Sequence, residues 1–303
     1  MKIIIDELSQ GTRIDLYLSE ILNNFSRSRI QSKIKNGNVT VNNNTVKSSY
    51  LLKENDIIEF IDNYTFDDIY APENIPIEVV WEDENMAVIN KSSGMLTHPT
   101  TIEKSGTLVN ALLYKYGENL SDINGANRRG IVHRLDRNTS GLIMIAKNNK
   151  THEYLVKEMK SKNFVKKYIA ITRGVIDKDD FEIDTPIGRH LSQPQKMAVN
   201  GKDAKDCLTK VRVLRRFNNA TLVELTLITG RTHQIRVHLS SIGHPVFNDT
   251  LYGFGKQKIK TEEQVLQSYK LEFTKPFTQE RILVEIPFDE KINKVLNFLT
   301  QSN

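Results

Sequence analysis

Cysteine is nearly missing from this chain: Cys207 is the only one in 303 residues. No intrachain disulfide can form, and a reducing cytoplasm is the simplest compartment. The same scarcity excludes zinc-dependent base deamination, which needs two or three thiolates on the metal. Long apolar runs are missing too, since stretches such as Leu142 to Ala146 fall far short of the ~20 residues a membrane helix needs. The opening Met1-Lys2-Ile3-Ile4-Ile5-Asp6 lacks the apolar region and small-residue cleavage site of a secretory signal. No glycine-rich loop ends in Gly-Lys-Ser or Gly-Lys-Thr, and no Gly-x-Gly-x-x-Gly follows a strand. Ser140, flanked at two residues by Asn138 and Leu142, is not a hydrolase elbow. His152-Glu153 has no second histidine four residues on, which removes the zinc-protease helix.

What remains is the composition of a globular protein, 39% hydrophobic and 26% charged, and long enough for a substantial core plus a smaller module. Net charge is +5, only a mild hint of a polyanionic partner. Its distribution says more. Residues 121 to 170 hold eleven Lys and Arg against four Asp and Glu, so the rest of the chain is net negative. That window is either a polyanion-binding surface or a solvated basic face.

Residues 12 to 60 read as a compact module. Ile14, Leu18, Ile21, Leu22 and Phe25 recur at helical spacing and predict a helix of about three turns. A second helix, capped by Ser26 or Ser28, carries Ile30 and Ile34 on one face and stops at Gly37. Its other face shows Arg27, Arg29, Lys33 and Lys35 without an acid between them. Val39-Thr40-Val41, an Asn42-Asn43-Asn44 turn and Asp56 to Phe60 supply strands. Such a helix can lie along a phosphate backbone, or its cations can simply keep it solvated. The segments Arg13-Ile14-Asp15, Ser26 to Gln31, Gly37 to Asn42 and Lys53 to Asp56 resemble the S4 RNA-binding domain over almost the whole module.

The expected division is an S4-like domain over 1–62, a polar linker over 63–76 containing Pro72 and Pro76, and a second domain over 77–303. Beyond the linker, strands (Val79 to Trp81, Met86 to Asn90, Gly141 to Ala146, Tyr168 to Thr172, Leu208 to Leu214, Thr221 to Ile228) mix with helices (Thr107 to Tyr116, Asn148 to Asn163). Their lack of strict alternation predicts an α+β domain on a largely antiparallel sheet.

Two segments carry chemistry. In Ile131 to Leu142, Asp136 stands between Arg134 and Arg137, just before a Thr-Ser-Gly turn and an apolar strand. The arginines favour the charged form that a nucleophile or general base requires, and an ordinary ion pair at a turn fits equally well. In Leu227 to Leu239, Ile235, Leu239 and Ile242 form a helical stripe ended by Gly243 and Pro245, and Arg236 flanks that stripe. A partly dehydrated arginine there wants a carboxylate partner. His233 and His238 are too far apart around that helix to share a metal, and no metal site is expected.

With Asn90 to Gly94, His98-Pro99, Lys166 to Ala170, His244 to Asp249 and Tyr252-Gly253, these segments resemble the ribosomal large-subunit pseudouridine synthase family of the RluA/RluD type over essentially the full length. The resemblance implies a large, mostly antiparallel mixed sheet flanked by helices. It places the catalytic carboxylate on Asp136, the base-stacking tyrosine on Tyr168 and the carboxylate-pairing arginine on Arg236. Arg134 falls where a residue enters the RNA helix as the target base leaves it. Arg137, Arg27, Arg29, Lys33, Lys35, Lys91 and His233 are the further candidates for RNA contact, with a structural role equally open for Lys91. Ser92 stands where the family usually has Pro, and Phe247-Asn248-Asp249 replaces a smaller sequence.

The implied activity is conversion of uridine to pseudouridine in structured RNA, 23S ribosomal RNA first and transfer RNA second, without a cofactor, in the cytoplasm; the oligomeric state is left open, with a monomer favoured. The competing readings are a non-catalytic RNA-binding or ribosome-assembly protein, and a nuclease or nucleosidase using Asp136 with His133.

Overall fold

A computed structural model describes residues 2–22, 27–61, 70–100, 102–161, 164–253, 259, 261 and 263–301, with the side chains of residues 8, 28 and 29 outside that description. The first sixty residues form their own sheet and core. Strands β1 (Lys2–Ile4), β2 (Val39–Val41), β3 (Asn44–Thr45) and β4 (Ile57–Phe60) pair antiparallel in the order β1-β4-β2-β3. Helices α1 (Ile14–Ile21) and α2 (Arg27–Lys35) lay Ile14, Leu18, Ile30 and Ile34 against Val39, Val41 and Ile58. Burying each such side chain contributes about 1.5–3 kcal/mol. Helix α1 is shorter than its apolar spacing predicts: Ile21 is its last residue and is exposed, while Phe25 and the Ser26 cap lie outside the described residues.

One polar group organises this core. The Asp15 side chain is fully buried and accepts from Arg13, Arg27 and Gln31, which ties α2 to α1. Arg13 foremost, with Gln31 and Arg27, holds the Asp15 carboxyl well below the usual range against the opposing effect of burial.

The larger sheet has nine strands. In chain order they are β5 (Glu78–Glu82), β6 (Met86–Lys91), β7 (Ser140–Ala146), β8 (Val165–Arg173), β9 (Asp180–Asp184), β13 (Leu208–Arg216), β14 (Ala220–Leu227), β15 (Leu266–Thr274) and β16 (Arg281–Glu285). They lie in the order β5-β6-β7-β15-β8-β14-β13-β9, with β16 paired to β15. The one parallel pair among them is β7 with β15, as the α+β expectation of a mostly antiparallel sheet requires. Both faces are covered. Ile143 and Ile145 enter one apolar cluster with α3 (Leu108–Tyr116), and Leu142, Met144 and Ala146 enter the other with α4 (Asn149–Glu158) and α6 (Glu290–Gln301). Side chains alternate along a strand, so a strand buried on both faces reads as the continuous apolar run seen at β7.

Gly141 lies where β7 meets β15. Its φ is 108°, and a side chain there would overlap the Ser268 carbonyl of the parallel neighbour. A small third sheet, β10 (Ile187–Arg189), β11 (Met197–Val199) and β12 (Lys202–Lys205), packs with Val237 of helix α5 (Gln234–Ser241). Residues 70–75, read as linker from composition, are held against α3: Asn110 donates to the Ala71 carbonyl and Glu73 accepts from the Gly106 backbone. Among the described residues no helix is long and apolar enough to cross a membrane.

Candidate active site

The loop that enters β7 carries Asp136, and neighbouring side chains fix its backbone almost residue by residue. Thr97 donates to the Leu135 carbonyl at 2.8 Å, Lys91 to that of Arg137 at 3.0 Å and Ser93 to that of Asn138 at 2.9 Å. Gln264 reaches the Thr139 hydroxyl at 2.9 Å. The Asn90 to Gly94 motif and the residues just after it therefore form a cradle for the Asp136 loop. Lys91 is the centre of that cradle. Its Nζ also donates to the carbonyls of Ser92 and Met95, each at 2.8 Å, and no part of the residue reaches solvent. Burial pulls its pKa down to about 7. An ammonium enclosed by three carbonyls cannot meet a phosphate, so the RNA-contact reading of Lys91 is corrected to a structural tie.

Asp136 itself is 18% exposed and accepts from Arg236 Nη1 at 3.1 Å. Arg236 projects from α5 with its other donors on Asp249: Nε to Oδ2 at 2.7 Å and Nη2 to Oδ1 at 2.9 Å. Backbone amides of Leu251 and Tyr252 fix Asp249 in turn. Burial works against the charge on both partners, yet their mutual hydrogen bonds prevail, raising the Arg236 pKa and lowering that of Asp249. A two-point clamp sets the guanidinium plane, and the third point reaches the carboxylate expected to do the chemistry. Asp249 is the residue that sequence reasoning missed as a member of the site. The arginine's need for an acid is legible in the sequence, but nothing local shows that a second acid meets most of it.

His233 caps the start of α5 in a left-handed conformation, φ 56°. Its Nδ1 bonds the Tyr252 hydroxyl at 2.7 Å and its Nε2 lies 3.9 Å from Asp136. It therefore faces the carboxylate within the site. Burial, only partly opposed by Asp136, depresses its pKa. The Tyr252 hydroxyl also accepts from the Met197 amide of β11, so the small sheet is tied to the same corner.

Tyr168 on β8 is buried, and its hydroxyl pKa is raised by that burial. Together with Asp136, Arg134, His233 and Arg236 it lines one cavity of about 350 Å³, at the small end of ligand-site volumes. His133 lines it too, but its Nε2 accepts from the Met144 amide at 2.9 Å and burial, with Lys166, lowers its pKa to about 3. It carries no spare proton near neutrality, which weighs against the nucleosidase reading. Arg134 is exposed at the rim, and Arg137 is exposed and paired with Glu103.

The remaining candidates lie in the N-terminal unit. Arg27 is bonded to Asp15 across the two helices, while about half of its side chain stays exposed (49%). The Arg29 side chain lies outside the described residues. Lys33 sits over the Phe60 ring and Lys35 is exposed.

Comparison with known proteins bears on family and fold. Residues 85–241 match the RNA pseudouridylate synthase family and residues 12–58 match the S4 domain. The chain is 39% identical to the uncharacterized RNA pseudouridine synthase YlyB of Bacillus subtilis (strain 168), over 98% of this chain and 97% of that one. It is 36% identical to ribosomal large subunit pseudouridine synthase D of Nitrosomonas europaea, over 94% of this chain and 84% of that one. Among solved structures, human RNA pseudouridylate synthase domain containing 1 superposes with a TM-score of 0.58 at 24% identity, covering 75% of this chain and 96% of that one, a likeness of fold.

Proposed function

This chain belongs to the RNA pseudouridylate synthase family, and from that premise we propose that it isomerises uridine to pseudouridine in large-subunit ribosomal RNA, with Asp136 as catalytic carboxylate. The observation that carries this reading is the Asp136–Arg236 pair at 3.1 Å on the cavity that Tyr168 lines. The reaction breaks the N1–C1′ bond, turns the base and rejoins it through C5. No atom enters or leaves, so no redox cofactor is required. The Asp136 carboxylate acts on the ribose, by bonding to C1′ or by taking the C2′ proton. Tyr168 stacks on the base, and Arg236 keeps Asp136 charged and aimed.

A stacked uridine must first be extruded, at a cost of a few kcal/mol. Arg134 at the cavity rim fills the space the base leaves, while the basic 121–170 region and the S4 unit, divided from the catalytic unit within 63–76, grip the backbone. The S4 unit and the large-subunit relatives support ribosomal RNA as the substrate. Such a substrate puts the enzyme in the cytoplasm.

Carbodiimide mapping of pseudouridine in total RNA, from cells with and without the protein, tests the target. At least one large-subunit position should lose its signal; no loss, or loss confined to transfer RNA, refutes the assignment. In vitro, Asp136→Asn should retain RNA binding and lower kcat by about a thousandfold or more. Turnover near wild type would remove the mechanism.

A further inference from the structure

The same cavity holds one more group whose surroundings call for a substrate partner, an inference that rests on the pseudouridine reading above. Lys166 and Tyr168 are two residues apart on β8, so they share a face, and both line the cavity with Asp136. Lys167 between them turns the other way, where Glu224 takes its ammonium at 2.9 Å. Lys166 has no such acid. Among the described residues no oxygen accepts a hydrogen bond from its Nζ, although only 8% of the residue is exposed. Nζ lies 5.5 Å from the Phe164 ring centre and close to the backbone of Gly230, where a β-carbon would stand 3.6 Å away.

The contrast with Lys91 is informative. That fully enclosed ammonium has three carbonyls around it; Lys166 lines the cavity with no such acceptor among the described residues. Folding gains nothing from burying an ammonium without an acceptor. The arrangement gains when negative charge forms beside it. Burial lowers the Lys166 pKa to about 8, which leaves it mostly charged at neutrality.

We propose that Lys166 is a further catalytic residue, whose ammonium donates a hydrogen bond to a carbonyl oxygen of the detached uracil and stabilises the anion formed when the N1–C1′ bond breaks. Heterolysis leaves the bonding pair on the base, delocalised over N1, O2 and O4. When C5 bonds to C1′, the C5 hydrogen departs to water as a proton and N1 takes one up. The negative charge thus exists between two events, and Lys166 keeps its own proton throughout. Arg236 is the poorer candidate, because Asp249 and Asp136 take three of its five N–H donors and fix its plane.

The test is single-turnover release of tritium from a large-subunit RNA transcript labelled at C5 of uridine, using wild type, Lys166→Met and Lys166→Arg. A donor aimed at developing charge is worth about a hundred- to a thousandfold in rate, so the methionine variant should lose that much with RNA affinity and Tm unchanged. Arginine, which restores a cation, should recover a substantial part of it. A methionine variant as fast as wild type, or an arginine variant no faster than methionine, overturns the inference. Should methionine unfold the chain, Lys166→Gln replaces it against arginine under the same criteria. Absence of tritium release by the wild type is a different result: it removes the pseudouridine reading, and this inference with it.

Discussion

Arg236 serves two acids with one rigid fork, and the two bonds to Asp249 determine where the third points. Asp249→Asn should therefore act on catalysis through Arg236. The guanidinium loses its charged clamp and Asp136 its fixed neighbour, so kcat should fall about ten- to a hundredfold, with KM for RNA little changed. Steady-state kinetics decide it, and an unaffected kcat would break the link from Asp249 to Asp136. Lys91→Met tests the loop cradle. Three carbonyls lose their donor, a cost of about 3 kcal/mol, visible as a lower midpoint in urea. The salt dependence of RNA binding should stay as it was, whereas a phosphate contact would have reduced its slope. The sequence alone made Asp136 and Arg236 legible, because a carboxylate between arginines and an arginine beside an apolar stripe are local patterns. It could not separate the two readings of Lys91, because the carbonyl of Arg137 lies forty-six residues away in the chain.

Among the elements, β7 and α3 were legible nearly to their ends, since each is long, apolar and punctuated by Gly or Thr. Strand β12 was not, because Lys202–Lys205 is exposed throughout and has no alternating pattern to read. Nor does local pattern reveal that β15 inserts between β7 and β8, which is a matter of strand order. The glycine of the Thr-Ser-Gly turn has its reason only there. Gly141→Ala would force a β-carbon into the Ser268 carbonyl at a backbone angle that suits glycine, so the β7–β15 pairing should open. A loss of about 3 kcal/mol or more is expected in denaturant melts; a stability equal to wild type would contradict the close approach.

The α1–α2 tie carries a pH signature. A carboxyl held below its ordinary value contributes stability that is present above the unfolded pKa, about 3.9, and is lost as pH falls below it. The stability gap between wild type and Asp15→Asn should accordingly be widest near neutrality and narrow below about pH 4. Equal gaps at pH 7 and pH 3 would show that the Asp15 charge is not what joins the helices.

At the scale of the whole molecule, the proposed function divides the work between two units. The N-terminal core is separate from the two clusters of the large sheet, and the cations of α2 lie far along the sequence from Asp136. Lys33→Ala with Lys35→Ala should weaken RNA binding and reduce the log–log salt slope by about 1.4–1.8, while kcat at saturating RNA stays near wild type. A fall in kcat would mean that the first unit takes part in the chemistry. Two units could be read from the sequence because each has its own apolar rhythm; the attachment of residues 70–75 to α3 could not, since polar segments show nothing of what they bind.

The place of β15 bears on when activity can begin. Asp136 leads into β7 and Tyr168 stands on β8, but these strands have no edge in common until residues 266–274 come between them. A nascent polypeptide that has already emerged with both groups still lacks the staple that holds them in one sheet. Activity is therefore expected only once residues 266–274 have taken their place between the two strands.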